Sequence, residues 1–192
     1  MNDTRNQIIT LADDFIRTRG FNAFSYADIA AIMDLQKPAI HYYFPSKADL
    51  GISVIDKELE TITRNRDLHH NLPGDEQLKE LVQTFFASSR SRKICLTGSL
   101  TPEYTTLPQR LQDKVQEMCR SILDWMAACL EKGRAEGRFV FQGTPQDRAL
   151  LVMSGLLSSL LLSRVLGEDI FDRMIGQLLQ DINANFSHQY KK

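Results

Sequence analysis

The sequence predicts an all-α protein, and three observations support this class. Apolar residues recur every three or four positions along nearly the whole chain, the spacing of helices that bury one face. No segment alternates apolar and polar residues as a half-buried strand does, and no Asn-Gly turn joins two such segments. The 192 residues are 43% hydrophobic and 24% charged, which is typical of a globular chain that buries a full core.

Two helices are predicted in the first 34 residues. The first covers about residues 3–19 and ends before Gly20, because glycine readily adopts the left-handed backbone at a helix C-terminus. Ser25 and Asp28 form a variant of the capping box and begin the second helix. Asp34 is placed in the turn that ends it, since aspartate tolerates a left-handed backbone better than most residues.

A third, short helix and a long fourth helix follow this turn. The third begins near Pro38, because proline is accepted in a first turn, and it ends before Pro45. Ser46 and Asp49 repeat the Ser-x-x-Asp cap and begin a helix that continues to about Arg66.

The rest of the chain is predicted as four further helices and some short helical pieces. A loop at 67–74 precedes a helix near 78–86, short helical pieces are expected at 88–108, and a long helix follows from 111. The penultimate helix, from Pro145, has almost no polar face, so it must be covered on both sides and is predicted to supply a dimer interface. The last covers about 168–188. We place the domain boundary near residue 60, giving domains 1–60 and 61–192.

Residues 25–44 have the size and order of a helix-turn-helix, a DNA-binding motif. Three consecutive ring donors in its second helix, His41, Tyr42 and Tyr43, cannot all face one core. If these rings are exposed, they can donate hydrogen bonds to DNA phosphates. The small Ala39 side chain would allow this helix to approach the bases closely. An aromatic packing cluster is the alternative. Because the net charge of the chain is only −1, any DNA binding is expected to depend on a few specific contacts and not on a broad positively charged surface.

Three runs in this region resemble the N-terminal domain of tetracycline-repressor-type (TetR) transcriptional regulators: 15–25 (FIRTRGFNAFS), 28–30 (DIA) and 40–50 (IHYYFPSKADL). The resemblance covers roughly residues 5–55. It implies a three-helix DNA-binding domain and an all-helical ligand-binding and dimerisation domain. The expected function is that of a homodimeric repressor, released from double-stranded palindromic operator DNA by a small-molecule or reactive-species inducer, with no cofactor.

The resemblance also implies which residues contact DNA. Ser25 and Tyr26 match phosphate contacts, the run 36–39 matches the start of the base-reading helix, and Lys47 matches a lysine that meets the DNA backbone. Two residues depart from the pattern: Asp34 replaces the usual turn glycine, and His41 replaces the commoner tyrosine. The full predicted set is Ser25, Tyr26, Gln36, Lys37, Pro38, Ala39, His41, Tyr42, Tyr43 and Lys47.

A sensor and a ligand pocket are predicted in the C-terminal domain. The segment 93–98 with Glu103 resembles a cysteine-containing segment of a TetR subgroup that includes sensors of electrophiles and oxidants. Nearby Arg90, Arg92 and Lys93 are expected to lower the pKa of Cys95 and favour its thiolate; the alternative is a small buried apolar residue. The predicted pocket residues, each alternatively plain core, are Cys95, Phe85, Phe86, Tyr104, Met118 and Trp125.

Several other functions lack their usual signals. The three cysteines have no metal-ligand spacing, so no metal site is predicted, and their odd number fits a reducing compartment. The chain shows no signal-peptide core, and its longest uncharged run, 149–163, is too short to span a bilayer, so we expect a cytoplasmic protein without a membrane partner. No P-loop, GxGxxG, HExxH or nucleophile elbow indicates an enzyme. A helical interaction module and a thiol enzyme built on Cys95 remain as alternatives.

Overall fold

The computed structural model describes residues 2–91 and 93–182, which form helices and, within these ranges, no strand. The all-α prediction is therefore confirmed. The helices are α1 (Asn2–Arg19), α2 (Tyr26–Met33), α3 (Lys37–Tyr43), α4 (Lys47–His69), α5 (Gly74–Arg90), α6 (Leu96–Leu100), a 3-10 helix (Thr101–Thr106), α7 (Gln109–Ala135), α8 (Pro145–Leu166) and α9 (Asp169–Ile182).

The end of α4 differs from the predicted one. The loop predicted to begin at residue 67 begins only after His69, where α4 ends. The carbonyls of His70 and Leu72 accept hydrogen bonds from the Lys132 ammonium at 3.2 and 2.6 Å, so a donor at least 60 residues away stabilises the chain just beyond this helix end. The predicted end of the last helix, near residue 188, lies outside the described residues.

The chain folds into two compact units. Unit 1 contains residues 1–61 and 94–119, and unit 2 contains residues 62–93 and 120–192. The first division falls next to the predicted boundary at residue 60. The sequence did not indicate that residues 94–119 pack with the N-terminal residues. The division into a DNA-binding domain, 1–60, and a ligand-binding and dimerisation domain, 61–192, therefore stays a prediction about function and does not coincide with the two units.

Unit 1 is organised around the apolar faces of α1 and α4. Both faces are fully buried, as shown by Ile8 and Ala12 on α1 and by Leu50 and Ile55 on α4. Each buried isoleucine or leucine side chain of this kind contributes about 1.5–3 kcal/mol. The later segment contributes Leu96, Leu100, Leu111 and Val115 to the same unit, each at most 1% exposed.

Unit 2 packs α5, the second half of α7, α8 and α9. Its buried side chains include Leu78, Leu130, Leu156 and Phe171, none of which is exposed. Gly74 permits the start of α5 to contact α7, because a Cβ there would lie only 2.2 Å from the Gly133 nitrogen. A side chain at this position would push the two helices apart.

Candidate DNA-binding surface and ligand-binding residues

The turn between α2 and α3 is made by local backbone geometry. Asp34 has φ 51° and ψ 44°, in the left-handed region, and the Leu35 N–H donates to the Ala30 carbonyl at 3.0 Å. The expected left-handed turn at Asp34 is therefore present without glycine. Gln36 follows in an extended conformation, and its side chain makes no capping hydrogen bond, which leaves its exposed amide beside the start of α3.

The start of α2 is held by Asp28. Its carboxylate accepts hydrogen bonds from the N–H and the hydroxyl of Ser25, both at 2.7 Å. The hydrogen bond from the Ser25 side chain is the largest cause of a lowered Asp28 pKa. Ser25 itself stays exposed, which is what a phosphate contact at this position requires.

Tyr26, a predicted phosphate contact, lies inside unit 1. Only 8% of the residue is exposed, and its hydroxyl donates to the Phe44 carbonyl at 2.8 Å. Its ring packs edge-on against His41, with centroids 4.7 Å apart. Burial raises the pKa of Tyr26 to about 12. The hydroxyl thus joins the first residue of α2 to the end of α3 and fixes the angle between the two helices.

The short helix α3 is anchored by one residue and exposes most of the others. Ile40 is fully buried, whereas Lys37, Pro38 and His41 are exposed and Tyr42 is 71% exposed. Ala39 and Tyr43 are half-buried, and the Tyr42 and Tyr43 rings are 5.3 Å apart at their centroids. Because the three ring donors do not share one core, the helix offers polar groups to a partner. Their contacts with DNA remain a prediction.

Lys47, the predicted contact to the DNA backbone, is engaged within unit 1. Its ammonium donates to the carbonyls of Phe21 and Phe24 and lies over both rings, 4.7 and 4.2 Å from their centroids. Desolvation lowers the pKa of Lys47, partly offset by the charge of Glu103. This side chain therefore stabilises the loop between α1 and α2, a role that the sequence did not indicate.

The structure contradicts a lowered pKa for Cys95. The thiol is buried, and burial raises its pKa to about 11, against smaller opposing effects of the Gly98 N–H and the Arg17 charge. Desolvation disfavours the thiolate more than these groups stabilise it. Cys95 is the N-cap of α6, where its sulfur accepts from the Gly98 N–H at 3.4 Å. Arg92, one of the expected basic neighbours, lies outside the described residues.

The six predicted sensor and pocket residues are divided between the units. Cys95, Tyr104 and Met118 belong to unit 1, and Phe85, Phe86 and Trp125 belong to unit 2. Within unit 2, Phe86 packs edge-on against Phe171 at 5.0 Å. Trp125 is 4% exposed, and its indole N–H has no hydrogen-bond partner among the described residues. A buried donor without an acceptor costs about 1–3 kcal/mol, so Trp125 is suited to an acceptor on a bound molecule.

Unit 2 also contains a cavity that the sequence did not indicate. It has a volume of about 420 Å³, which lies in the range of small-molecule sites. Its wall combines apolar and charged side chains, among them Lys93, Leu160, Arg164 and Glu168. Because these residues come from the end of α5 and from the junction of α8 and α9, no local sequence pattern groups them.

Two family models match this chain. The model of bacterial regulatory proteins of the tetR family matches residues 8–54, and the model of the tetracyclin repressor-like C-terminal domain matches residues 74–175. The chain belongs to the TetR family of transcriptional regulators. The predicted family is therefore confirmed, and with it DNA-binding regulation through an N-terminal helix-turn-helix.

Solved structures of TetR-family regulators are similar over nearly the whole chain. A regulator from Agrobacterium tumefaciens is 29% identical with a TM-score of 0.88, covering 95% of this chain and 99% of that chain. A regulator from Legionella pneumophila is 27% identical with a TM-score of 0.83, covering 94% and 97%. Among curated proteins, an uncharacterized HTH-type transcriptional regulator in the lacX 3' region of Lactococcus lactis is 26% identical, covering 86% of this chain and 85% of the relative. All three are regulators, as is the TetR-family chain described here.

In the part of the chain that the structure describes, one helix of this TetR-family regulator is long and apolar enough to cross a membrane. It is α8, and 33% of its most apolar stretch is buried. A single helix of this kind is weak support for a membrane span, because the core helix of a globular protein has the same length and composition.

Proposed function

We propose that this TetR-family regulator is a homodimeric repressor that binds a palindromic operator through α3 and releases it when a small molecule binds the C-terminal domain. The main support is α3 itself, which is anchored by one buried residue, Ile40, while Lys37, His41 and Tyr42 remain exposed. The Tyr26 hydrogen bond holds this helix against α2, so its exposed groups are presented on a fixed support.

DNA binding is tested by selecting duplexes from a random library with the purified protein. Lys37→Ala should lower discrimination against mismatched sites by about 1–3 kcal/mol, the value of one good base contact. Lys79→Ala is the matched control, because Lys79 is also an exposed lysine but lies on α5. Selection of no sequence, or equal effects of the two variants, contradicts base reading by α3.

Dimerisation is supported by an apolar stripe on α8. Six large side chains on this helix are 44–80% exposed: Leu150, Leu151, Leu161, Leu162, Val165 and Leu166. Ser154 and Ser158 are exposed between them and allow a second helix to approach closely. Contiguous exposed apolar surface of this kind marks an interface. A two-fold dimer then places two α3 helices about 34–36 Å apart, or a multiple of this, on a palindrome.

Light scattering tests the dimer. Wild type should be dimeric at micromolar concentration, and Leu162→Glu should be monomeric, because the new charge would be buried against the partner. Leu68→Glu is the matched control, since Leu68 is 72% exposed and lies on α4 instead of α8. A monomeric wild type, or equal dissociation of both variants, contradicts this interface.

A non-covalent inducer is supported by Trp125 and by the burial of Cys95. Trp125 is the single tryptophan of the chain, so its fluorescence reports on one site, and its buried indole N–H has no acceptor within residues 2–91 and 93–182. The raised pKa of Cys95 disfavours a reactive-species mechanism. We expect N-ethylmaleimide to leave operator binding unchanged in wild type and in Cys95→Ser. Release by this reagent in wild type alone would establish Cys95 as the sensor.

A further inference from the structure

The loop between α1 and α2 is hydrogen-bonded to the 3-10 helix Thr101–Thr106. The Glu103 carboxylate accepts from the Asn22 N–H at 3.0 Å. The Asn22 side-chain amide donates to the Thr106 hydroxyl at 2.8 Å, and that hydroxyl donates to the Glu103 carbonyl at 2.7 Å. Three hydrogen bonds therefore join Asn22, Thr106 and Glu103 in a closed cycle, which we call the Asn22 latch.

Gly20 makes room for the Glu103 carboxylate. Its φ of +98° is one that residues with a side chain rarely adopt, and a Cβ there would lie 2.5 Å from Glu103 Oε1. Lys47 contacts the Phe21 and Phe24 carbonyls of the same loop. The loop is thus held by a carboxylate from the 3-10 helix and by an ammonium from α4.

The latched loop leads directly into the predicted DNA contacts. Three residues after Asn22, Ser25 is the N-cap of α2 and a predicted phosphate contact. The segment 94–106 is attached to the end of α1 at a second point, where the Ile94 N–H donates to the Arg17 carbonyl at 3.1 Å. This segment lies within the C-terminal family model, residues 74–175. Regulatory-domain sequence therefore holds a loop of the DNA-binding domain.

We propose that Glu103 is a positioning residue for DNA binding, which through the Asn22 N–H keeps Ser25 and the start of α2 in place to contact a phosphate. The inference rests on the proposed DNA contacts of α2 and α3. Opening of the latch frees the loop and removes the Ser25 phosphate contact from both halves of the operator. The resulting fall in affinity is independent of base sequence, because phosphate contacts carry no sequence information.

The test compares Glu103→Ala with Glu103→Gln in full-length protein, on a duplex selected by wild type. Glu103→Ala should lower affinity by about fivefold or more, the lower limit of usual coupling between linked sites. The slope of log affinity against log salt should change little, because the lost contact is made by the uncharged Ser25 hydroxyl and the slope counts phosphates neutralised by lysine and arginine. Glu103→Gln keeps an oxygen that accepts the Asn22 N–H, so it should bind as wild type does.

Amide exchange of residues 20–25 separates positioning from general stability. We expect faster exchange of the Asn22 amide in Glu103→Ala and wild-type exchange in Glu103→Gln, at equal melting temperatures. Thr105→Ala, an exposed neighbour in the same 3-10 helix, is the matched control and should change neither exchange nor affinity. Thr106→Val removes the hydroxyl that accepts from the Asn22 amide and donates to the Glu103 carbonyl, while the Glu103 carboxylate stays in place, and it should also weaken binding.

Three results would overturn the inference: unchanged affinity of Glu103→Ala with accelerated exchange, equal weakening by Thr105→Ala, or binding by Glu103→Gln as weak as that of Glu103→Ala. If wild type selects no duplex, the proposed function fails instead. The exchange measurements then still decide whether Glu103 holds the loop.

Discussion

Replacing Tyr26 by phenylalanine removes one hydroxyl and keeps the ring that packs against His41. The removed group donates at 2.8 Å to the Phe44 carbonyl in a site where Tyr26 is 8% exposed. An acceptor left without a donor in such a site costs about 1–3 kcal/mol. For a chain of this length, each kcal/mol lowers the melting temperature by about 2–4 °C. We therefore expect Tyr26→Phe to melt at a lower temperature than wild type, with an unchanged slope of log DNA affinity against log salt.

The pH dependence of this destabilisation follows from the Tyr26 pKa. Burial raises it to about 12 from the ordinary value of 10.0, so the folded state favours the protonated phenol. The stability contributed by the hydroxyl is therefore fully present below pH 10 and is lost as the pH rises towards 12. Urea unfolding should show a constant gap between wild type and Tyr26→Phe at about pH 7–9 and a smaller gap at about pH 11.

The opposite result would identify Tyr26 as a phosphate contact. In that case Tyr26→Phe would melt as wild type does and would bind all DNA sequences more weakly, because a phosphate contact carries no sequence information. This outcome would mean that the hydroxyl leaves the Phe44 carbonyl to reach DNA.

Three further substitutions test the geometry of unit 1. Gly20→Ala should destabilise the folded protein by about 1–3 kcal/mol through backbone strain. The loss should be smaller in a Glu103→Ala background, because the clash with Glu103 Oε1 is then absent. Equal losses in both backgrounds, measured by chemical denaturation, would contradict that clash. Lys47→Met should lower the melting temperature, because the Phe21 and Phe24 carbonyls lose their donor. A fall in DNA affinity with an unchanged melting temperature would instead indicate that Lys47 contacts a phosphate. Asp34→Gly should raise the stability of the folded protein by about 1–2 kcal/mol, because φ is 51° at Asp34 and glycine adopts this left-handed backbone without strain. An unchanged midpoint of urea unfolding would show that Asp34 is not strained.

Local chemistry along the chain made most of the N-terminal helices predictable. The Asp28 and Asp49 carboxylates each accept from the backbone N–H three residues earlier, at 2.7 and 3.0 Å, as the Ser-x-x-Asp spacing predicts. The left-handed backbone at Gly20 and Asp34 was likewise predicted from residue type. These features depend on partners within one or two helical turns, so the order of residues alone determines them.

Tertiary structure decided what the functional side chains contact. Tyr26 and Lys47 occupy positions that match DNA contacts, yet their polar groups meet carbonyls 18 to 26 residues away. Cys95 follows a basic run, but burial raises its pKa, and the positive charge that opposes this rise is that of Arg17 on α1. Glu103 meets Asn22 across 81 residues. Helical periodicity predicts which face of a helix is buried but not which atoms that face contacts. Hydrogen bonds and desolvation between distant segments can therefore be read only from the folded structure.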